Sequence, residues 1–347
     1  MRENRLVAAL AAVLTLLLAS PEVMAGAPAL QVFPGIQSDP LGRELQSAMI
    51  WAGTQSEKDG VAVTFRKTFQ LGQSAIAANI SVFADARYIL WVNGQYVERG
   101  PARFQPNGSE YDTIEISPFL HAGKNVLALL VVGNLSGGKV MRHSPGLGLI
   151  VESDLREVLR TDNSWKCSFS NPYQKVQASW PNLMDEQVDA RVGGGDWTAL
   201  DYNDGQWQRA VGIDGKAWGP LTARRIPRLR ETPVPLQISD GVTLPVTLTN
   251  GQRLTFETSR LVQAYPLLSF TADADTELQI EPYGVEYTAR AGQQTYFTLD
   301  SMGTTKVEIV LQRGRATINN FKLIERLYPY DRVGAFSSED PFLNQLW

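Results

Sequence analysis

Cysteine is almost missing: of 347 residues only Cys167 carries a thiol. No disulfide can therefore close within the chain, and stability has to come from burial. Histidine is as scarce, with His121 and His143 alone, which excludes a His-rich metal centre. There is no excess of basic charge either. Lys and Arg number 32 against 36 Asp and Glu, a formal net charge of −4, whereas a nucleic-acid partner calls for a basic field. After the first 25 residues no apolar run is long enough to cross a bilayer, and no long amphipathic helix pattern occurs. What is present is ample apolar material, 44% of the residues, on a length sufficient for two ordinary domains with real cores.

The chain opens with Arg2 and Arg5, an apolar run from Leu6 to Ala19, and Val23-Met24-Ala25 before Gly26. A basic start, a short apolar centre and a small residue at the cut describe a secretory signal peptide, residues 1–25, cleaved after Ala25. The apolar centre falls short of the ~20 residues of a membrane span, and Ser20-Pro21-Glu22 interrupts it. The expected location is periplasmic or extracellular, with neither a membrane nor a nucleic acid as partner.

Along the mature chain the apolar period is two. Val61, Val63, Phe65, Lys67 and Phe69 share one face of a half-buried strand. Ile76 to Phe83 and Arg87 to Val92 follow, then Asn93-Gly94, then Gln95-Tyr96-Val97. Asn-Gly between two such runs signals a hairpin, since both turn residues must accept positive φ. Further strands are read at Asp112 to Ile116, Asn125 to Val132 and Gly148 to Ser153. The glycine-rich patches Asn134 to Lys139 and Gly193-Gly194-Gly195 lack the Lys-Ser/Thr ending and the following helix of a phosphate loop, and are read as surface turns.

After Trp218 the texture changes to Pro220, Pro227, Pro233 and Pro235 with Arg224, Arg225, Arg228 and Arg230, an extended connector. Strands resume at Val242 to Thr249, Arg253 to Thr258, Ala264 to Ala272, Thr276 to Glu281, Tyr296 to Leu299, Thr305 to Leu311 and Ala316 to Glu325. Last come Asp340, a good N-cap, Pro341 at the first helical position, and an apolar stripe of Phe342, Leu343, Leu346 and Trp347. An isolated helix this short is marginal, so the stub is expected to open a helical domain that these residues do not include.

The expected fold is all-β: two antiparallel β-sandwich or jelly-roll domains, ending at the start of a missing (α/α) barrel. The expected bounds are a signal peptide at 1–25, a galactose-binding-like sandwich at 26–227, a second sandwich at 228–333, and the first residues of the helical barrel at 334–347.

Several motifs, in this order and spacing, resemble the bacterial α-L-rhamnosidases of glycoside hydrolase family 78 and their close relatives. They are Tyr88-Ile89-Leu90-Trp91-Val92-Asn93-Gly94, Arg99-Gly100-Pro101-Ala102-Arg103, Tyr111-Asp112, and Leu120-His121-Ala122-Gly123-Lys124-Asn125-Val126. Thr161 to Lys166, Asp185 to Arg191, Trp197, and Asn203-Asp204-Gly205-Gln206-Trp207 continue the pattern, followed by Ala264-Tyr265 and Val333 to Ser338. Two departures stand out: Asp185-Glu186 replaces the usual Gly-Glu, and Val188 stands where an aromatic is common. The resemblance implies a modular secreted glycosidase, an inverting hydrolase that releases terminal rhamnose from glycosides or polysaccharides. In such enzymes an acid protonates the leaving oxygen and a second carboxylate activates water. Those carboxylates belong to the barrel, so no catalytic residue, metal site or cofactor is carried over to this chain. The implied partners are a rhamnose-containing carbohydrate and the helical barrel.

Two other classes of function compete with a glycosidase fragment. A complete small hydrolase would have to use Asp185, Glu186 and Asp189, or Glu281 and Glu286. Strand alternation, however, sets Glu186 opposite Asp185 and Asp189, and a structural Asp189–Arg191 pair is the simpler reading. A stand-alone carbohydrate-binding or scaffold protein would need an aromatic face and convergent polar groups. The candidates are Trp180 with Arg99, Arg103 and His143 from loops. Trp197, Trp207 and Trp218 are also available, although large rings usually serve as core or inter-domain packing.

Overall fold

In the computed structural model the described residues are 37–53, 60–72, 77–102, 104, 108–133, 146–179, 183–331 and 333–346. The expected signal peptide, the 134–139 glycine patch and Trp347 lie outside them. Strands dominate, as the period-two pattern requires, and the helices are short. No helix among the described residues is long and apolar enough to cross a membrane.

Two six-stranded sheets build the first sandwich. One runs in the order Val211–Gly212, Ile50–Trp51, Gly146–Val151, Asn79–Asp85, Ser109–Glu115, Leu221–Ala223. The other runs Gln208–Arg209, Lys166–Ser168, Val61–Leu71, Gly123–Gly133, Arg87–Val92, Gln95–Gly100. Their facing sides bury Trp51, Val63, Phe65, Leu129, Leu149 and Trp165 in one core. The hairpin expected at Asn93-Gly94 is present, with φ of 52° and 79°. Asn93 holds the turn to its neighbours: Nδ2 donates to the Phe119 carbonyl at 2.9 Å, and Oδ1 accepts from Val126 N at 2.8 Å.

The second of these sheets is buried on both sides, which corrects the half-buried reading of the 61–69 strand. Thr64 and Arg66, on its far side, are as buried as Val63 and Phe65. A third layer covers them: the hairpin Tyr173–Ser179/Leu183–Asp189 and the segment carrying Trp197 pack with Ala62, Ile89, Trp91, Ala128 and Leu130. A buried cation needs acceptors on every side. Arg66 finds them in Asp204 Oδ2 at 3.1 Å, the Trp197 carbonyl and the Ala199 carbonyl at 3.1 Å, under the Tyr202 ring.

The second β-body is an eleven-stranded sheet coiled about Phe256, Phe270, Ile280, Ile309 and Ile318. The two strands expected at 253–258 and 264–272 form one, Arg253–Ala272, with a register irregularity between Glu257 and Val262. The Tyr173–Asp189 hairpin, which precedes the proline-rich connector in sequence, joins this sheet through a parallel pairing of Leu183–Asp189 with Val285–Thr288. The connector itself is stitched down. Leu221–Ala223 pairs with Ser109–Glu115 and Arg230–Pro233 with Arg315–Leu327. Ion pairs Arg224–Asp112 (2.8 Å), Arg225–Glu110 (2.5 Å) and Arg228–Glu98 (3.0 Å) anchor it. Residues 38–347 thus form one compact unit.

Pro341–Leu346 is helical, and Phe342 N donates to the Asp340 side chain at 2.8 Å, the expected N-cap. Phe342, Leu343 and Leu346 are all exposed.

Candidate functional site

Arg99, expected in a loop, is the penultimate residue of the strand Gln95–Gly100 and is only 4% exposed. Alternation sends its side chain toward the second β-body. There the guanidinium lies 3.7 Å from the Tyr265 ring centre, with the Phe297 and Tyr96 rings at 5.0 and 5.4 Å. Nη1 donates to the Thr298 carbonyl at 2.9 Å and Nε to Tyr96 Oη at 3.2 Å. Glu231 supplies the counter-charge: it lies 3.8 Å from Arg99 and 3.0 Å from Arg326, and accepts from Tyr96 and Tyr265 at 3.0 and 2.9 Å. Arg99 is thereby a clasp between the two β-bodies, with two of its three nitrogens already committed. The other sugar-binding candidates, Trp180, Arg103 and His143, lie outside the described residues.

The expected Asp189–Arg191 pair is present. Glu186 is 1% exposed; Oε2 accepts from Tyr296 Oη at 2.7 Å and Oε1 from Leu299 N at 2.8 Å. Burial pushes its carboxyl up to about 8, against the pull of those two hydrogen bonds and of Arg99. Asp189, on the opposite side of the strand, is paired with Arg191 at 2.6 Å and held below the usual carboxylate range chiefly by that hydrogen bond. Glu286 accepts from Gln187 at 3.0 Å, and Glu281 is exposed. A glycosidase needs two carboxyls flanking one bond in an open cleft. Glu186 is sealed and Asp189 faces away from it, so these groups do not form such a pair. Among the described residues, no group of three or more His, Cys, Asp or Glu is placed to hold a metal ion.

An aromatic cleft of about 580 Å³ runs between the β-bodies. Its walls include Trp91, Tyr96, Tyr173, Trp197, Tyr296 and Phe297. Trp91 meets Trp197 edge-on at 5.1 Å and Phe297 at 5.9 Å. Gln293 and Thr295 offer exposed polar groups at its rim. Of the described tryptophans weighed from sequence, Trp197 alone reaches the cleft. Trp218 is core, its Nε1 donating to Asp85 at 2.8 Å, and Trp207 packs on Tyr202. Trp91 and Phe297 escaped the sequence reading because they sit on strands that looked like ordinary sandwich. The available signal was the unbroken apolar run Tyr88-Ile89-Leu90-Trp91-Val92, which means a strand covered on both faces.

Residues 74–232 match the family model described as the alpha-L-rhamnosidase N-terminal domain. The fold is similar to that of several solved structures. The rhamnosidase of Bacillus sp. GL1, of glycoside hydrolase family 78, is 22% identical with a TM-score of 0.50 over 84% of this chain and 34% of that one. The α-L-rhamnosidase of Aspergillus terreus is 16% identical, TM-score 0.60, over 86% and 38%. The Streptomyces avermitilis α-L-rhamnosidase, complexed with L-rhamnose, is 19% identical, TM-score 0.57, over 83% and 30%. Residues 74–232 are thus similar to a rhamnosidase N-terminal domain, and the chain shares its β-architecture with these structures while spanning about a third of their length. No curated protein matches it.

Proposed function

We propose that the chain is the amino-terminal, non-catalytic portion of a secreted α-L-rhamnosidase-like glycoside hydrolase. A helical barrel continuing from Pro341–Leu346 would carry the acid and base that release terminal rhamnose. The observation that carries this reading is the joint one: a rhamnosidase N-terminal match over residues 74–232, and a common β-fold over more than four-fifths of the chain. The sealed Glu186, the paired Asp189 and the exposed Phe342, Leu343 and Leu346 support it. Assayed alone on an aryl α-L-rhamnoside, the 347-residue chain is expected to show only the background rate. Turnover that Glu186→Gln abolishes would overturn the reading and reinstate a small self-contained hydrolase.

Export is part of the proposal, since residues 1–25 have the pattern of a signal peptide. Protein recovered from the periplasm or medium is expected to begin at Gly26; recovery there with Met1 retained would contradict cleavage. A second reading, a carbohydrate-binding or scaffold protein acting without a barrel, draws its support from the aromatic cleft, whose size suits a saccharide.

A further inference from the structure

Four buried side-chain nitrogens among the described residues have no hydrogen-bond acceptor: Trp51 Nε1, Arg99 Nη2, Arg224 Nε and Arg326 Nε. The last three belong to arginines that line one cavity, of about 290 Å³, between the β-bodies and beside the proline-rich connector. A buried unpaired donor is costly, and native proteins hold few of them. Three around one space point to a ligand that supplies the acceptors.

Two of these guanidinium groups are anchored through their other nitrogens. Arg99 is fixed by Tyr96 and Thr298, and Arg224 by Asp112 Oδ1 at 2.8 Å and the Pro227 carbonyl at 3.1 Å. Arg326 Nε lies 3.0 Å from Glu231 Oε1, but too obliquely for a hydrogen bond. The unsatisfied nitrogens are themselves buried, in side chains that line the cavity, so turns of those side chains are what present their N–H groups to it. Donors of this kind suit an oxyanion, since arginine makes strong charge-assisted hydrogen bonds to carboxylate and phosphate alike, and Asp300 in the same wall favours the singly charged carboxylate. The same cavity is lined by Asp300, whose Oδ1 accepts, among the described residues, only from Ser301 N at 2.8 Å, and by Gln263. These accept from hydroxyl groups and would repel a second anion. The volume, at the lower end of ligand pockets, admits one small ring and no oligosaccharide.

We propose that this arginine-lined cavity binds a single hydroxylated carboxylate, of the class of a uronic acid, through Arg99, Arg224 and Arg326 with Asp300 receiving its hydroxyls. The carboxylate part stands on the geometry alone; the sugar part rests on the glycosidase reading.

The test is calorimetric titration of the full 347-residue chain with D-galacturonate, its methyl ester, galactose and acetate. Galacturonate is expected to bind at millimolar concentration, with the ester and galactose at least about tenfold weaker, the loss of one charge-assisted contact. Arg326→Lys and Arg224→Lys each keep a charge but lose Nε, and are expected to weaken galacturonate by a similar factor, measured below each variant's own melting transition. Arg326→Lys serves if Arg224→Lys does not fold. Equal binding of acid and ester, or no galacturonate binding at tens of millimolar, overturns the proposal. Acetate binding as well as galacturonate, with Asp300→Asn without effect, overturns the sugar part and leaves a site for carboxylates only. Failure of the glycosidase reading would appear separately, as a lack of rhamnosidase activity in the protein that includes the proposed helical barrel, and would leave the titration as it stands.

Discussion

Replacing Arg99 with alanine is expected to destabilise the protein by about 4 kcal/mol, close to the cost of breaking a buried ion pair. The variant loses the stack on Tyr265 at 3.7 Å and the bond to the Thr298 carbonyl, and it weakens the neutralisation of Glu231, which two tyrosines and Arg326 still address. A desolvated cation–π contact contributes about 2 kcal/mol, and a hydrogen bond from a charged group about 1.5–3 kcal/mol, before the orphaned carbonyl is counted. For a chain of this size the melting temperature should fall by about 10 °C. Arg99→Lys keeps the charge but not the planar fork, and should recover only part of the loss. A melting temperature within a degree or so of wild type for Arg99→Ala would mean that the clasp between the β-bodies is not energetic.

Stability should fall as pH rises from about 5 to 8, and Glu186→Gln should remove most of that fall. The Glu186 carboxyl is raised from 4.5 in the unfolded chain to about 8 in the folded one. Between those values the native state holds the proton and the unfolded state does not, so raising pH favours unfolding. The penalty is absent below pH 4.5, grows through the window, and is fully present above 8. A shift of this size corresponds to about 5 kcal/mol. Glutamine cannot ionise; its oxygen can still accept from Leu299 N, and the Tyr296 hydroxyl can turn to accept from its amide. The variant should therefore approach wild type near pH 5 and exceed it above pH 8, by about 10 °C in melting temperature. Glu98, also raised by burial, titrates in both proteins, so their difference isolates Glu186. Parallel pH profiles for the two proteins would contradict the assignment.

Local chemistry was legible in the sequence wherever it was local in the chain. Asn93-Gly94 announced its hairpin because only residues tolerant of positive φ fit that turn, and Asp340-Pro341 announced a helix start through capping. Asp189 and Arg191 are two residues apart, and their pairing followed from spacing. What stayed hidden was the third layer. The hairpin Tyr173–Asp189 pairs with Val285–Thr288, about a hundred residues further on, and nothing local says which sheet edge a hairpin will extend. Arg99 looked like a polar loop residue for the same reason: Tyr265, Phe297 and Thr298, which enclose it, lie far along the chain. The arginine cavity combines residues near 99, 224, 300 and 326, and no window of sequence contains them together. The run Tyr88 to Val92 did hold a clue, since a strand apolar on both faces has to be covered twice.

The proposed parent of these β-bodies is a rhamnosidase-like hydrolase whose chemistry resides in a following helical barrel. The most direct measurement is to read the gene past the codon for Trp347 and to assay the encoded protein on an aryl α-L-rhamnoside. The expected result is an open frame running into a helical, carboxylate-bearing region, and an active enzyme. An immediate stop codon, or a joined protein that folds and leaves the rhamnoside intact, would contradict it.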